Sequence, residues 1–129
     1  MSRNKIVWTG GKGRDEGKQY EITEMSPFKS FRWALKAANA LQGVIPDDYM
    51  QSVDSVSIWV IHEGVQAIIK ADPDKMMPLL DELLECVLYR VSADHAFPIR
   101  EGDDYREYIE ERQTLFDLYT EIMRVHVDF

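Results

Sequence analysis

Four glycines, Gly10, Gly11, Gly13 and Gly17, followed by Lys18, are the first residues whose type and spacing could do chemistry. Glycine-rich loops can cradle phosphate, but a phosphate loop needs G-x-x-x-x-G-K-[ST]. Counting back from Gly17-Lys18, Lys12 stands where the first glycine belongs, and Gln19 replaces the hydroxyl that would hold magnesium. The dinucleotide pattern G-x-G-x-x-G fails too, because a strand-like segment rather than a helix follows. His62-Glu63 has Gln66 where H-E-x-x-H needs its second histidine. No Glu lies three residues before His62, His95 or His126, so the E-x-x-H pairs of di-iron bundles are missing. Glu82 and Glu85 share a helix face and read as a solvated acidic surface. Cys86 has neither His nor Lys near it in sequence and reads as a small buried apolar residue. His126 reads as a packed or edge histidine. Residues distant in sequence can still meet in space, yet no catalytic, cofactor-binding or metal-ligating residue is assigned. The chain is expected not to be an enzyme and to need no cofactor.

Whatever positions these residues must fit into 129 residues, about one domain's worth of core. The longest strictly apolar run in mid-chain, Ile58-Trp59-Val60-Ile61, is far short of the roughly 20 residues a membrane span needs. No basic segment followed by an apolar one opens the chain, so a secretory signal is not expected. A single cysteine suits a reducing cytoplasm. The net charge of −8 is unevenly placed: residues 1–40 carry eight basic and four acidic side chains, the rest seven basic and nineteen acidic. So acidic a chain is a poor general nucleic-acid binder, because phosphate affinity comes from displaced counterions. The basic front third is expected to meet the acidic remainder of the same chain or to be solvated, with an acidic partner as the alternative.

Lys5–Thr9 and Tyr20–Met25 alternate as half-buried strands, joined by the glycine loop in a long, mobile hairpin. A lone hairpin is marginal, so this one should lean on helices or pair with another chain. Ser26-Pro27 is an N-cap and N1 signal for a first helix, which Gly43 closes. Its apolar stripe is read as Phe31, Leu35, Ala38 and Leu41, with Lys29, Arg32 and Lys36 on the other side. A second helix is expected from about Tyr49 to Lys70, with a buried strand at Val56–Ile61 as the alternative. Asp72-Pro73 starts a third, with stripe Met76, Leu80, Leu83, Val87 and Val91 and with Pro78 in or near its first turn. Ser92–Gly102, with Phe97-Pro98, reads as a loop or short extended stretch, and a fourth helix runs from about Asp103 to Val125 on Tyr105, Ile109, Phe116, Tyr119 and Met123. The expected fold is therefore mainly α: one domain over 1–129, a hairpin at 1–25, and about four helices packed as a small bundle over 26–129.

Trp33, beside the first helix's stripe and flanked by Lys29, Arg32 and Lys36, is the best candidate for a protein contact, since aromatic and Arg side chains are common interface anchors. A core Trp with a solvated cationic face is the competing reading. The segment Arg14-Asp15-Glu16-Gly17-Lys18-Gln19-Tyr20-Glu21-Ile22-Thr23-Glu24-Met25, followed by Arg32-Trp33-Ala34, resembles the signature R-D-x-G-K-x-[aromatic]-x-[aliphatic]-T-E-M of tail assembly chaperones from long-tailed bacteriophages and prophages. The close match covers about a quarter of the chain. Pro78–Leu83 agrees only in type, and Ser30-Phe31 stands where the family has a small residue and Glu.

That resemblance implies a non-enzymatic protein of the bacterial host cytoplasm. It would bind the phage tape-measure protein, and in some cases the major tail (tube) protein, and would be absent from the mature virion. Neither nucleic acid nor membrane is implied as a partner, and self-association stays open. Trp33, Lys29, Arg32, Lys36, Arg14 and Lys18 are the expected partner-binding residues. A tail-completion or connector subunit, or a small phage regulator binding a host protein, is the alternative.

Overall fold

A computed structural model describes residues 4–52, 55, 58–59, 62–63, 70–99 and 108–126. Strands β1 (Lys5–Thr9) and β2 (Gln19–Thr23) form the expected N-terminal hairpin, with Trp8 opposite Tyr20 and Ile6 opposite Ile22. Helix α1 (Pro27–Ala40) starts as the sequence dictates: Lys29 N–H donates to Ser26 Oγ at 3.3 Å, and Pro27 needs no donor in the first turn. It stops at Ala40, three residues before Gly43. A 3-10 turn at Asp47–Gln51 follows and includes Tyr49. Ser55, Ile58, Trp59, His62, Glu63 and Lys70 are helical; the remainder of the expected second helix lies outside the described residues. Helix α2 (Pro73–Leu84) is capped by Asp72, whose Oδ1 accepts from Asp74 N–H at 3.0 Å. Pro78 is its sixth residue, in the second turn, and cannot donate to the Asp74 carbonyl.

Beyond Leu84 the expected third helix gives way, taking Val87 and Val91 out of its stripe, and the stretch expected as loop or short extended chain is partly extended. Val87–Ser92 is strand β3 and His95–Pro98 is strand β4, so the described residues form a four-stranded antiparallel sheet, β1-β2-β3-β4, with three α-helices. The fold is α+β, not a four-helix bundle with an appended hairpin. The error has a physical source: Val87 and Val91 continue the spacing of Met76, Leu80 and Leu83, while Val87, Tyr89 and Val91 equally satisfy period 2. Pairing with β2 settles the matter, Tyr20 against Tyr89 and Ile22 against Val87. The Ala93-Asp94 turn needs no positive φ and so carries no glycine signal.

Helix α3 (Arg112–His126) packs on β1 and β2 and touches α2, which in turn packs on α1. The expected start of this helix at 103–107 lies outside the described residues; residues 108–111 are not helical. The core gathers Tyr20, Ile22 and Val87 from the sheet, Trp33 and Ala37 from α1, Leu79 and Leu83 from α2, and Leu118 and Ile122 from α3. The hairpin joins this core through Tyr20 and Ile22 of β2, with Trp8 of β1 packed against it.

Candidate functional site

Helix α1 is apolar on two opposite faces. Its inward face is Trp33, Ala34, Ala37 and Ala40, all buried. The alanines let α1 sit close to its neighbours, and Trp33 donates its indole N–H to the Leu79 carbonyl at 3.0 Å, which fixes α1 to α2. Phe28, Phe31 and Leu35 point the other way and are 78%, 58% and 56% exposed. Their spacing of three and four residues makes them one ridge on the helix surface. Phe31 and Leu35, expected in the core, are therefore outside it, and Trp33 has taken the inward place. At Leu35 the ridge borders an open groove between α1 and α2, of about 500 Å³, floored by Ala40, Pro78 and Leu79.

The cations of α1 lie along one flank of that ridge. Lys29 Nζ meets Glu85 at 2.8 Å and Lys36 Nζ meets Glu82 at 2.9 Å, while Arg32 is exposed and has no ion pair among the described residues. The Lys29 pKa is raised, chiefly by its hydrogen bond to Glu85. Arg14 pairs with Glu111 at 3.3 Å, and Lys18 with Asp15 and Glu110 at 2.9 and 2.8 Å. The basic front of the chain thus meets its own acidic remainder. The six residues singled out from sequence do not converge: four lie on α1, with Trp33 turned inward, and two lie in the hairpin loop.

That loop is a clasp on α3. Asp15 is fully buried, and its carboxylate accepts from the N–H of Glu110 (2.9 and 3.0 Å) and of Glu111 (2.8 Å), the residues just ahead of the helix. A carboxylate there satisfies orphan donors and faces the positive end of the helix dipole. Burial raises the Asp15 pKa, but hydrogen bonds from the Thr114 side chain, Lys18 and the two N–H groups outweigh it and hold the carboxyl below its ordinary value. Burial pulls Lys18 down, and Glu110 and Asp15 more than reverse it. The loop closes tightly: Gly10 N–H donates to the Lys18 carbonyl at 2.8 Å, and a Cβ on Gly10 would lie 2.3 Å from the Asp15 carbonyl oxygen. Gly17 has φ +84°, which a side chain rarely adopts.

Beyond the loop, the Tyr20 hydroxyl donates to the Tyr108 carbonyl, and Tyr89 stacks on Tyr108 with ring centres 4.6 Å apart. Burial above all raises the Tyr20 pKa. Met25 N–H donates to His126 Nε2 at 2.7 Å, and the opposite ring nitrogen lies 2.8 Å from the Ile122 carbonyl, which sets the neutral tautomer with hydrogen on Nδ1. Each end of the R-D-E-G-K-Q-Y-E-I-T-E-M segment is therefore hooked to one end of α3. Sequence singled out Arg14 and Lys18 here and passed over Asp15, which looks like any loop acid until its burial is known.

Among the described residues no group of three His, Cys, Asp or Glu side chains is placed to hold a metal ion. Burial pushes the Cys86 thiol up to about 11, which leaves it a poor nucleophile. His62 and His95 are exposed. No helix among the described residues is long and apolar enough to cross a membrane.

An α+β domain with a charged hairpin clasp and an outward apolar helix face fits a protein that works by docking. The family model for phage tail assembly chaperone protein, TAC, matches residues 16–127. The chain belongs to the phage tail assembly chaperone family. No curated protein and no solved structure matches it.

Proposed function

We propose that this chaperone binds the tape-measure protein of its phage through the outer face of α1 and keeps it soluble until the tail tube polymerises. One observation carries the reading: Phe28, Phe31 and Leu35 form an exposed apolar ridge on a helix whose opposite face is already in the core. An amphipathic helix laid along such a ridge would bury its own apolar stripe, the usual helix-in-groove arrangement. Arg32 would meet a carboxylate of the partner, with Lys29 and Lys36 alongside it. Trp33 holds the helix in place from behind, and Arg14 and Lys18 hold the clasp. The chain acts in the host cytoplasm, without catalysis, and leaves before the virion is complete; the major tail protein is the second candidate partner.

Co-expression with the tape-measure protein of the same phage tests this. The wild-type chain should bring that protein into the soluble fraction at a defined stoichiometry. The Phe28→Ser/Phe31→Ser variant should fold and fail to do so. If the partner stays insoluble with the wild-type chain, and the chain instead appears in purified particles, it is a structural tail subunit and the proposal is wrong.

A further inference from the structure

The sheet ends in two unlike edges. β4 is four residues long, closes on Pro98, and pairs with β3 through a register shift between Arg90 and Ser92, all of which discourage another strand. β1 has none of these protections. Its five residues hold an unbroken register against β2, contain neither proline nor glycine, and carry one charge, Lys5, held by Glu21 at 2.9 Å. The Glu24 N–H donates to the Asn4 carbonyl, and Gly10 N–H donates to the Lys18 carbonyl. These bonds turn the backbone groups of the even-numbered residues toward β2. The N–H and C=O of Lys5, Val7 and Thr9 then face outward, where no further strand lies among the described residues.

We infer that β1 pairs antiparallel with β1 of a second copy, about a two-fold axis at Val7, joining two sheets into one. The strand is complementary to itself in that register. Val7 faces Val7 and Lys5 faces Thr9, so each outward N–H and C=O finds a partner. On the helix side Ile6, 37% exposed, lies opposite the half-buried Trp8 of the other copy, and each covers the other. The neighbouring registers are worse. An axis at Lys5 sets two lysines face to face, and an axis at Thr9 runs the pairing into Gly10 and Gly11, beyond the strand. Five residues a side make a small interface, so the dimer is concentration-dependent. This inference does not depend on the identity of the tail partner.

Two cysteine variants of the full chain, both in a Cys86→Ser background, test the register. In a hydrogen-bonded antiparallel pair the Cα atoms of opposite residues are about 5.5 Å apart, within disulfide reach. Two Thr9 positions would be about 14 Å apart, four residues along the strand. Under mild oxidation Val7→Cys should yield at least tenfold more covalent dimer than Thr9→Cys. Val7→Pro removes only an outward N–H, so it should keep its melting temperature and lose the monomer–dimer equilibrium that the wild type shows by sedimentation. Equal cross-linking of both cysteines, no cross-link at Val7→Cys, or a wild type that stays monomeric at the highest concentration would overturn the pairing. So would a monomeric wild type whose complex with a tail protein is abolished by Val7→Pro, since the edge would then belong to that protein.

Discussion

The Gly10–Lys18 loop and the outer face of α1 reverse the usual association of charge with surface and apolar side chains with core. The loop is glycine-rich and charged, yet its Asp15 is fully buried and ties β2 to the start of α3. The ridge is Phe, Phe and Leu at helical spacing, yet it faces solvent. Charge is tolerated inside because every donor around Asp15 is used; apolar surface is tolerated outside because α1 is already anchored by Trp33 and its alanines. The difference separates two kinds of constraint. The clasp holds the fold, and its substitution should cost stability; the ridge is not needed for the fold, so its substitution should cost something else.

The sharpest test of the clasp is Asp15→Ala. Removing one partner from a buried, hydrogen-bonded charge pair costs about 3–5 kcal/mol, here by stranding the Glu110 and Glu111 N–H groups and taking one of its carboxylates from Lys18. Against a typical stability of about 5–15 kcal/mol, urea unfolding should shift drastically or show no folded baseline. The pH dependence separates charge from shape. The folded-state pKa lies below the ordinary 3.8, so the stabilisation is complete above that value and lost as pH falls through the folded-state pKa. In Asp15→Asn, that acid-dependent part of the melting curve should vanish, while behaviour near neutrality is already weakened.

Gly10→Ala tests whether the loop is as tight as its hydrogen bonds imply. The added Cβ meets backbone, the Asp15 carbonyl oxygen, and not a flexible side chain that could swing away. A cost of about 1–3 kcal/mol is expected, as for overpacking elsewhere. A smaller cost, read by thermal melting, would mean the loop can open without loss to the core. Tyr20→Phe should come next, at about 1–2 kcal/mol, because the Tyr108 carbonyl loses its donor while the ring packing on Trp8 and Tyr89 survives.

The sequence made legible those elements whose signals are local. Ser26-Pro27 and Asp72-Pro73 set two helix starts to the residue, and the alternation of Lys5–Thr9 set β1. What it could not show was decided by pairing and packing at a distance. Val87–Ser92 fits helix and strand periods alike, and only β2 chooses between them. On α1 two apolar stripes compete, one of large side chains and one of Trp33 with alanines; size favours the first, but close helix packing favours the second. The signature segment resembled its family without revealing why, since its hooks on Tyr108, Glu110, Glu111 and His126 are about 90 to 100 residues away.

The ridge supplies the smallest stability effect and the most discriminating one. Phe28→Ser/Phe31→Ser removes side chains that solvent already reaches, and surface substitutions of that kind usually stay within about ±0.5 kcal/mol. The melting temperature should therefore hardly move, in contrast to every clasp variant. If binding runs through this face, the same variant should lose about 30-fold or more in affinity for its tail partner, the scale of one interface hot spot. Calorimetry and co-purification on the same preparation would read both quantities. A variant that melts early would mean that these phenylalanines pack against something in the free chain, and the division between holding the fold and meeting a partner would have to be redrawn along α1.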